Sequence, residues 1–244
     1  MVRLCHCLAL LLLAALTACA GGGSARWDGR RGYDGNGDYG YDLNASRREA
    51  GLYRRQAARR YMVPGPPEDP WGPYIQEASA RFSVPDRWIR EVMRQESGGR
   101  QTGPDGALTT SWVGAMGLMQ VMPKTYDMLQ ARYRLGNDPY EPRDNILAGT
   151  AYIREMYDRY GAPGFLAAYN AGPDRLDAWL FADTPLPNET VNYVAAIAPR
   201  LGPETRLSGP LAVYADSGTS NLADDRPAAP PPRYAGVPVL STAF

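Results

Sequence analysis

Residues 85–99 read Pro-Asp-Arg-Trp-Ile-Arg-Glu-Val-Met-Arg-Gln-Glu-Ser-Gly-Gly. Ile89, Val92 and Met93 recur with Glu96 at the i, i+3, i+4 and i+7 spacing of one helix face. The proline suits the first turn of a helix, and the glycine pair suits its end. The sequence therefore predicts a helix that carries a carboxylate on its apolar face, in its last turn.

The position of Glu96 predicts a raised pKa. Desolvation on an apolar face disfavours the ionised carboxylate, and the negative end of the helix dipole repels it. A glutamate that served solubility alone would lie on the opposite, arginine-rich side of the same helix. A buried glutamate can also pair with an arginine, so this helix alone leaves a structural and a catalytic interpretation of Glu96 open.

Residues 1–18 have the features of a secretory signal peptide: a basic start, an apolar run too short to span a bilayer, and small residues before Cys19. The ending Leu-Thr-Ala-Cys resembles the bacterial lipobox, in which the cysteine is lipidated and becomes the mature first residue. An ordinary signal peptide cut near Ala18 or Ala20 is the alternative. We expect a periplasmic protein anchored by lipid at Cys19, and the alanine after the cysteine favours the outer membrane.

Removal of the signal peptide also limits the available chemistry. The only histidine is His6, and the cysteines are Cys5, Cys7 and Cys19. The mature chain would therefore lack a histidine and a free thiol, which excludes Ser-His-Asp and Cys-His catalysis and the usual zinc sites. We expect no metal and no cofactor, and the near-zero net charge gives no argument for nucleic acid. Carboxylates, hydroxyls, amides and aromatic rings remain, which are the groups of carbohydrate enzymes and carbohydrate-binding modules.

Composition divides the mature chain into three parts. Residues 19–70 are rich in Gly, Arg and Pro, and we expect a disordered tether with a short basic helix near 46–61. A lipid-binding or polyanion-binding arm is the alternative for this region. Residues 71–205 have the size and helical periodicity of one compact domain, and residues 206–244 are expected to be a disordered Pro/Ala-rich tail.

The domain is predicted to be mainly α, with seven helices. Apolar spacing indicates one helix through Phe82, the Glu96 helix, and a third that begins at Pro123. Asp144 would cap a fourth helix that ends at Gly161. Short helices would follow at about 165–171 and 176–180, before the seventh, which Asn188 caps. The polar segment 101–110 is expected to form a small hairpin at most.

Three further stretches carry a distinctive order of residues. They are Ser-Trp-Val-Gly-Ala-Met-Gly-Leu-Met-Gln-Val-Met-Pro at 111–123, Ala-Ala-Tyr-Asn-Ala-Gly-Pro at 167–173 and Glu-Thr-Val-Asn-Tyr-Val at 189–194. Each alone fits a Gly-rich turn, a helix end or an amphipathic helix. In this order, after the Glu-Ser pair at residue 96, they resemble the lytic transglycosylases of the soluble Slt type, which are relatives of goose-type lysozyme.

The resemblance covers residues 71–205 and implies a lysozyme-like helical domain with a groove for the glycan strands of peptidoglycan. It implies Glu96 as the single catalytic acid and base. The residues that it implies for the groove and its supporting turn are Ser97, Ser111, Met119, Gln120, Met122, Tyr169, Asn170, Glu189 and Tyr193. The segment 101–110 lengthens the usual spacing between Glu96 and Ser111, which makes the implied role of Ser111 weaker than the others.

The reaction that the resemblance implies is cleavage of the MurNAc-GlcNAc β-1,4 bond with formation of a 1,6-anhydro end. A hydrolase on the same fold, with Glu189 or Asp105 positioning water, is one alternative, and a non-catalytic peptidoglycan-binding scaffold is another. The implied partners are peptidoglycan glycan strands and, through Cys19, a membrane. Nucleic acid is not expected as a partner. The resemblance does not identify partner proteins of the cell envelope or of a secretion machinery.

Overall fold

A computed structural model describes residues 42–216 of the chain. Extended pairing within these residues is limited to isolated bridges, so the predicted mainly α class is confirmed. The helices are α1 (Leu43–Gln56), α2 (Gly72–Phe82), α3 (Asp86–Ser97), α4 (Pro123–Tyr133), α5 (Pro142–Ala171), α6 (Pro173–Phe181), α7 (Asn188–Ile197) and α8 (Ala212–Asp216), with one 3-10 turn at Ala198–Arg200.

Helix α5 is the centre of the described structure, and α2, α4, α6 and α7 pack around it. Ile146 and Leu147 on this helix are fully buried. The helix is interrupted at Gly161, whose φ of 65° lies in the left-handed region that glycine adopts without a steric penalty. The predicted stop at this glycine is therefore present, and the predicted short helix to Ala171 continues after the interruption. Helix α5 begins at Pro142 with Glu141 rather than Asp144 as its cap, three residues earlier than predicted.

Helix α3 is the predicted Glu96 helix. Ile89, Val92 and Met93 are buried on the face that the sequence pattern indicated, and Trp88 is buried beside them. The helix ends where Gly98 adopts a φ of 64° and its N–H donates to a carbonyl of the last turn. The Trp88 ring stacks on Phe165 of α5 with 4.9 Å between ring centroids, which fixes α3 against the central helix.

The loop between α3 and α4 contains the predicted hairpin. Thr102 and Leu108 form an antiparallel bridge, and the loop closes through two further bridges, Thr110 to Met116 and Met116 to Val121. A small polar hairpin thus follows directly after the end of α3.

The expected disorder of 19–70 is wrong for its C-terminal part. The short basic helix predicted near 46–61 is present as α1, at Leu43–Gln56 with Asp42 as its cap, and residues 57–70 continue as an ordered segment to α2. Only Ser46 and Ala50 of this helix are fully buried, and side-chain hydrogen bonds of Arg47 and Tyr53 join it to the rest of the domain. Its amphipathic signal was therefore weak in the sequence.

The expected disorder of the tail is likewise wrong where it begins. The N–H of Ser208 donates to the carbonyl of Ala162 at 2.8 Å, and Leu211 is buried before α8. Residues 1–41 and 217–244, and with them the predicted signal peptide, Cys19 and most of the tail, lie outside the described residues. Among the helices of residues 42–216, none is both long and apolar enough to cross a membrane.

Candidate active site

Glu96 lies in the last turn of α3, half-buried, with its carboxylate facing α7. The hydroxyl of Tyr193 on α7 donates a hydrogen bond to Oε1 of Glu96 at 2.6 Å. Tyr193 itself is buried, with 5% of its surface exposed. The two helices thus bring together two predicted site residues that are far apart in the chain.

Burial raises the pKa of Glu96 from its ordinary value of 4.5 to about 7. The hydrogen bond from Tyr193 opposes this rise, because it stabilises the ionised form, and the nearby charge of Glu189 adds to it. Among the described residues, no salt bridge joins Glu96 to an arginine or lysine. A carboxyl with a pKa near neutrality can both donate and accept a proton, as general acid-base catalysis requires.

Two tyrosines, Tyr169 and Tyr193, lie near the carboxylate of Glu96. Burial holds the pKa values of Tyr169 and Tyr193 well above the ordinary range, and the charge of Glu96 raises both further. The hydroxyl of Tyr169 donates to the backbone carbonyl of Met119 at 2.7 Å, and its ring packs against Tyr152 with 5.4 Å between centroids. Both hydroxyls therefore remain neutral hydrogen-bond donors at physiological pH.

Ser97 is buried and contacts the neighbouring loop. Its hydroxyl donates to the carbonyl of Leu118 at 2.7 Å and accepts from the N–H of Gly99 at 3.1 Å. This arrangement joins the end of the Glu96 helix to residues 116–121. Ser97 therefore positions the backbone of the site, and its side chain is not open to a ligand.

Met119 differs from the expectation that its side chain lines the groove. The side chain is fully buried and packs against Gly149, where an added Cβ would come within 2.5 Å of it. The backbone of Met119 is held from both sides: its N–H donates to Oδ1 of Asn145, and its carbonyl accepts from Tyr169. Met119 thus reaches the site through its backbone.

Asn145 is a structural residue of the site that the sequence interpretation missed. Its side chain is fully buried, accepts from Met119 and donates to the carbonyls of Met116 at 2.9 Å and Pro139 at 2.8 Å. It therefore holds the Gly-rich loop, residues 111–122, against α5. The available signal was an amide side chain directly before the apolar run that begins at Ile146.

The other residues predicted on the Gly-rich loop are partly accessible. Gln120 has a φ of 48° and donates from Nε2 to the carbonyl of Gly117 at 2.7 Å. Met122 is half-buried before the first residue of α4. The hydroxyl of Ser111 accepts from the N–H of Ala115 at 2.9 Å, so it closes the turn on which it lies.

The residues predicted for the opposite wall lie between α5 and α7. Oδ1 of Asn170 accepts from the hydroxyl of Thr190 at 2.7 Å. Glu189 is exposed in the first turn of α7, close enough for its charge to act on Glu96. Asp105 lies in the hairpin turn, where its carboxylate accepts from the N–H of Ala107 at 3.1 Å.

A pocket of about 490 Å³ opens beside Glu96. One side consists of the end of α3 with Arg94 and Arg100. The other side is the hairpin, through Thr102, Pro104 and Thr109. Within residues 42–216, no three His, Cys, Asp or Glu side chains come together as a possible metal site.

Residues 73–190 match the family model described as Transglycosylase SLT domain. The chain is 34% identical over 134 residues to the transglycosylase of Enterobacteria phage PRD1, which covers 54% of this chain and 46% of the relative. It is 34% identical over 104 residues to the soluble lytic murein transglycosylase of Escherichia coli K12, which covers 40% of this chain and 15% of the relative.

A third relative is the membrane-bound lytic murein transglycosylase C of Glaesserella parasuis, 28% identical over 130 residues, 47% of this chain and 31% of the relative. Among solved structures, the 70 kDa soluble lytic transglycosylase of Escherichia coli aligns at a TM-score of 0.45 with 26% identity, over 57% of this chain and 26% of that one. The chain therefore spans less than half the length of these relatives.

Proposed function

We propose, from the Transglycosylase SLT domain that residues 73–190 form, that this protein is a lytic transglycosylase that acts on peptidoglycan. The substrate bond in the proposal is the MurNAc-GlcNAc β-1,4 linkage, and the product carries a 1,6-anhydro-MurNAc end. The observation that supports it most is the half-buried Glu96, whose pKa is raised to about 7 and which lines a pocket between the end of α3 and the hairpin.

In the proposed reaction, Glu96 acts twice. Its protonated form donates the proton to the glycosidic oxygen as the bond breaks, and the anomeric carbon gains oxocarbenium character. The resulting carboxylate then accepts the proton of the C6 hydroxyl of the same MurNAc residue. That oxygen attacks the anomeric carbon and closes the anhydro ring, with the advantage of an intramolecular nucleophile.

Tyr193 supports the second half of this cycle. Its hydroxyl donates to Oε1 of Glu96, so it stabilises the carboxylate that remains after proton donation. Burial alone would favour the acid form so strongly that the base step would be weakened. The opposing effects of burial and of Tyr193 keep both protonation states accessible to one residue.

The alternative of a hydrolase needs a second group to activate water. Glu189 is exposed, and Asp105 caps its own hairpin turn, so neither carboxylate resembles the buried environment of Glu96. This difference favours the mechanism with one carboxylate. For substrate contact we propose the predicted residues that are at least partly accessible on the loop before α4 and on α5 and α7: Ser111, Gln120, Met122, Tyr169, Asn170 and Glu189.

The location remains part of the proposal. We propose that residues 1–18 are a lipoprotein signal peptide, that lipid at Cys19 anchors the protein to the outer membrane, and that the catalytic domain works in the periplasm. The Glaesserella parasuis relative is described as membrane-bound, which supports a membrane-associated form. We also propose that the functional domain extends beyond 71–205 on both sides, because α1 and α8 are ordered against it.

The test is digestion of purified peptidoglycan, with products identified by mass spectrometry. We expect anhydro products that lack one water relative to hydrolysed ends, and Glu96→Gln should lower turnover by roughly 10²–10⁴-fold with the fold intact. Glu68→Gln, which neutralises an exposed carboxylate, is the matched control. Hydrated products would indicate the hydrolase. Unchanged turnover of Glu96→Gln would contradict the assignment of Glu96.

A further inference from the structure

The segment 42–61, which comprises α1 and the residues after it, lies outside the matched range 73–190 and yet contacts the part of the chain that forms the candidate site. We call this segment the N-terminal clamp. Its contacts fall at three places: the turn at residues 111–114, Asp127 on α4, and Asp138 in the loop before α5.

The first contact is with the turn at residues 111–114. Nε of Arg47 donates to the carbonyl of Trp112 at 2.6 Å, and the guanidinium lies over the Trp112 ring, 4.8 Å from its centroid. Beside it, the backbone of Ser46 approaches Gly114 so closely that an added Cβ would lie 2.7 Å from the Ser46 carbonyl oxygen. The clamp and this turn are therefore in direct backbone contact.

The other two contacts are with Asp138, in the loop before α5, and with α4. The N–H of Ala58 and the hydroxyl of Tyr61 both donate to Oδ2 of Asp138, at 3.0 and 2.8 Å. The hydroxyl of Tyr53 also donates to Asp127 on α4. Hydrogen bonds to a charged carboxylate are stronger than those between neutral groups. These contacts therefore stabilise the position of α1, although the helix buries little apolar surface.

Asp138 also connects the clamp, through Tyr140, to the hairpin that lines the pocket. Its Oδ1 accepts from the N–H of Tyr140. Tyr140 in turn binds both ends of the hairpin: its carbonyl accepts from Nε2 of Gln101 at 2.6 Å, and its hydroxyl lies 2.8 Å from Oγ1 of Thr110. Thr102 and Thr109, between these two residues, line the pocket beside Glu96.

We propose that the N-terminal clamp is a positioning element of the active site, which holds the hairpin and the 111–114 turn in the arrangement that binds glycan. This inference rests on the proposed function, because the clamp touches the walls of the groove and not the catalytic carboxylate. Loosening the clamp lowers the fraction of molecules whose groove is ready to bind. The apparent dissociation constant rises in inverse proportion to that fraction.

The test uses full-length variants and separates KM from kcat. Arg47→Ala removes the hydrogen bond and the ring contact, and we expect KM for soluble glycan strands to rise about five-fold while kcat changes by less than about two-fold, because bound substrate restores the arrangement. Arg48→Ala, on the exposed side of the same helix, is the matched control and should leave both constants unchanged. Tyr61→Phe, which removes a single hydroxyl, should raise KM in the same direction by about three-fold.

Either of two results would contradict the proposal that the clamp positions the groove. One is a KM of Arg47→Ala and Tyr61→Phe within two-fold of the Arg48→Ala value. The other is a fall in kcat at constant KM, which would indicate an effect on the chemical step.

Binding measured in the Glu96→Gln background separates this inference from the proposed function. Glycan strands should bind about five-fold more weakly when Arg47→Ala is added to Glu96→Gln. That weakening would stand even if Glu96→Gln proved to have wild-type turnover, which would contradict only the proposed catalytic role. Equal binding by the single and double variants would contradict the clamp.

Discussion

Replacing Glu96 by Gln should stabilise the folded protein at alkaline pH and have little effect on stability in acid. The reason is the raised pKa of this carboxyl, from 4.5 to about 7, which burial causes. Below pH 4.5 the group is protonated in the folded and the unfolded chain, so it contributes no difference. Between pH 4.5 and 7 the unfolded chain releases the proton first, and the folded state loses stability as the pH rises. Above pH 7 both states are ionised and the loss stays constant.

The size of the effect follows from that pKa difference. At about 1.4 kcal/mol for each pH unit, the rise from 4.5 to about 7 gives a ceiling of about 3 kcal/mol. Glu96 is only half-buried, and solvent screens part of this cost. We therefore expect Glu96→Gln to exceed the wild type in free energy of unfolding by an amount that grows by about 2 kcal/mol from pH 5 to pH 8. A catalytic carboxylate that destabilises its own fold is a common cost of an active site.

Urea unfolding at several pH values between 5 and 8 measures this difference, with tryptophan fluorescence as the signal. Glu68→Gln controls for the loss of one negative charge at an exposed position, and its difference from the wild type should stay flat with pH. A stability advantage of Glu96→Gln that is the same at pH 5 and pH 8 would refute the reasoning, since it would mean that the pKa of Glu96 is not raised by folding.

Two further predictions concern the partners of Glu96 and the anchor. Tyr193→Phe removes the hydroxyl that donates to Glu96 at 2.6 Å, and the pKa of Glu96 should rise by roughly one further pH unit. The alkaline limb of the kcat/KM profile against pH should then move to higher pH, and a limb that stays in place or moves to lower pH would contradict this role. Cys19→Ala should release the protein from membranes and leave its turnover of soluble glycan strands unchanged. Sedimentation of this variant with membranes after a high-salt wash would rule out a lipid at Cys19 as the anchor.

The features that local sequence patterns predicted are those that a single helix or turn determines. The apolar spacing of Ile89, Val92 and Met93 predicted both α3 and the inward position of Glu96, and Gly98 marked the end of the helix. The direction of the pKa change followed from the same facts, because burial is its largest cause. The small hairpin at 101–110 was likewise predictable from its polar, Gly-rich composition.

The features that the sequence did not predict depend on contacts between distant residues. The resemblance implied that Tyr193 belongs to the site, but its hydrogen bond to Glu96 joins residues that are 97 positions apart. The packing of α1 depends on Asp127 and Asp138, which are 74 to 80 positions from their partners in the clamp. The sequence predicted a short basic helix near 46–61 but placed it within a disordered tether, because nothing local in the clamp shows that carboxylates far along the chain would accept its donors.

The lack of histidine in the predicted mature chain gives the environment of Glu96 its importance. A general acid-base group works best when its pKa lies near the working pH, and histidine is the side chain that meets this condition without help. A glutamate in water is ionised at neutral pH and would be a poor acid. In the proposed mechanism, burial between α3 and α7 supplies the missing rise in pKa, and the Tyr193 hydroxyl limits it so that the carboxylate can return as a base. The fold thus gives one glutamate the titration behaviour that a histidine would otherwise provide.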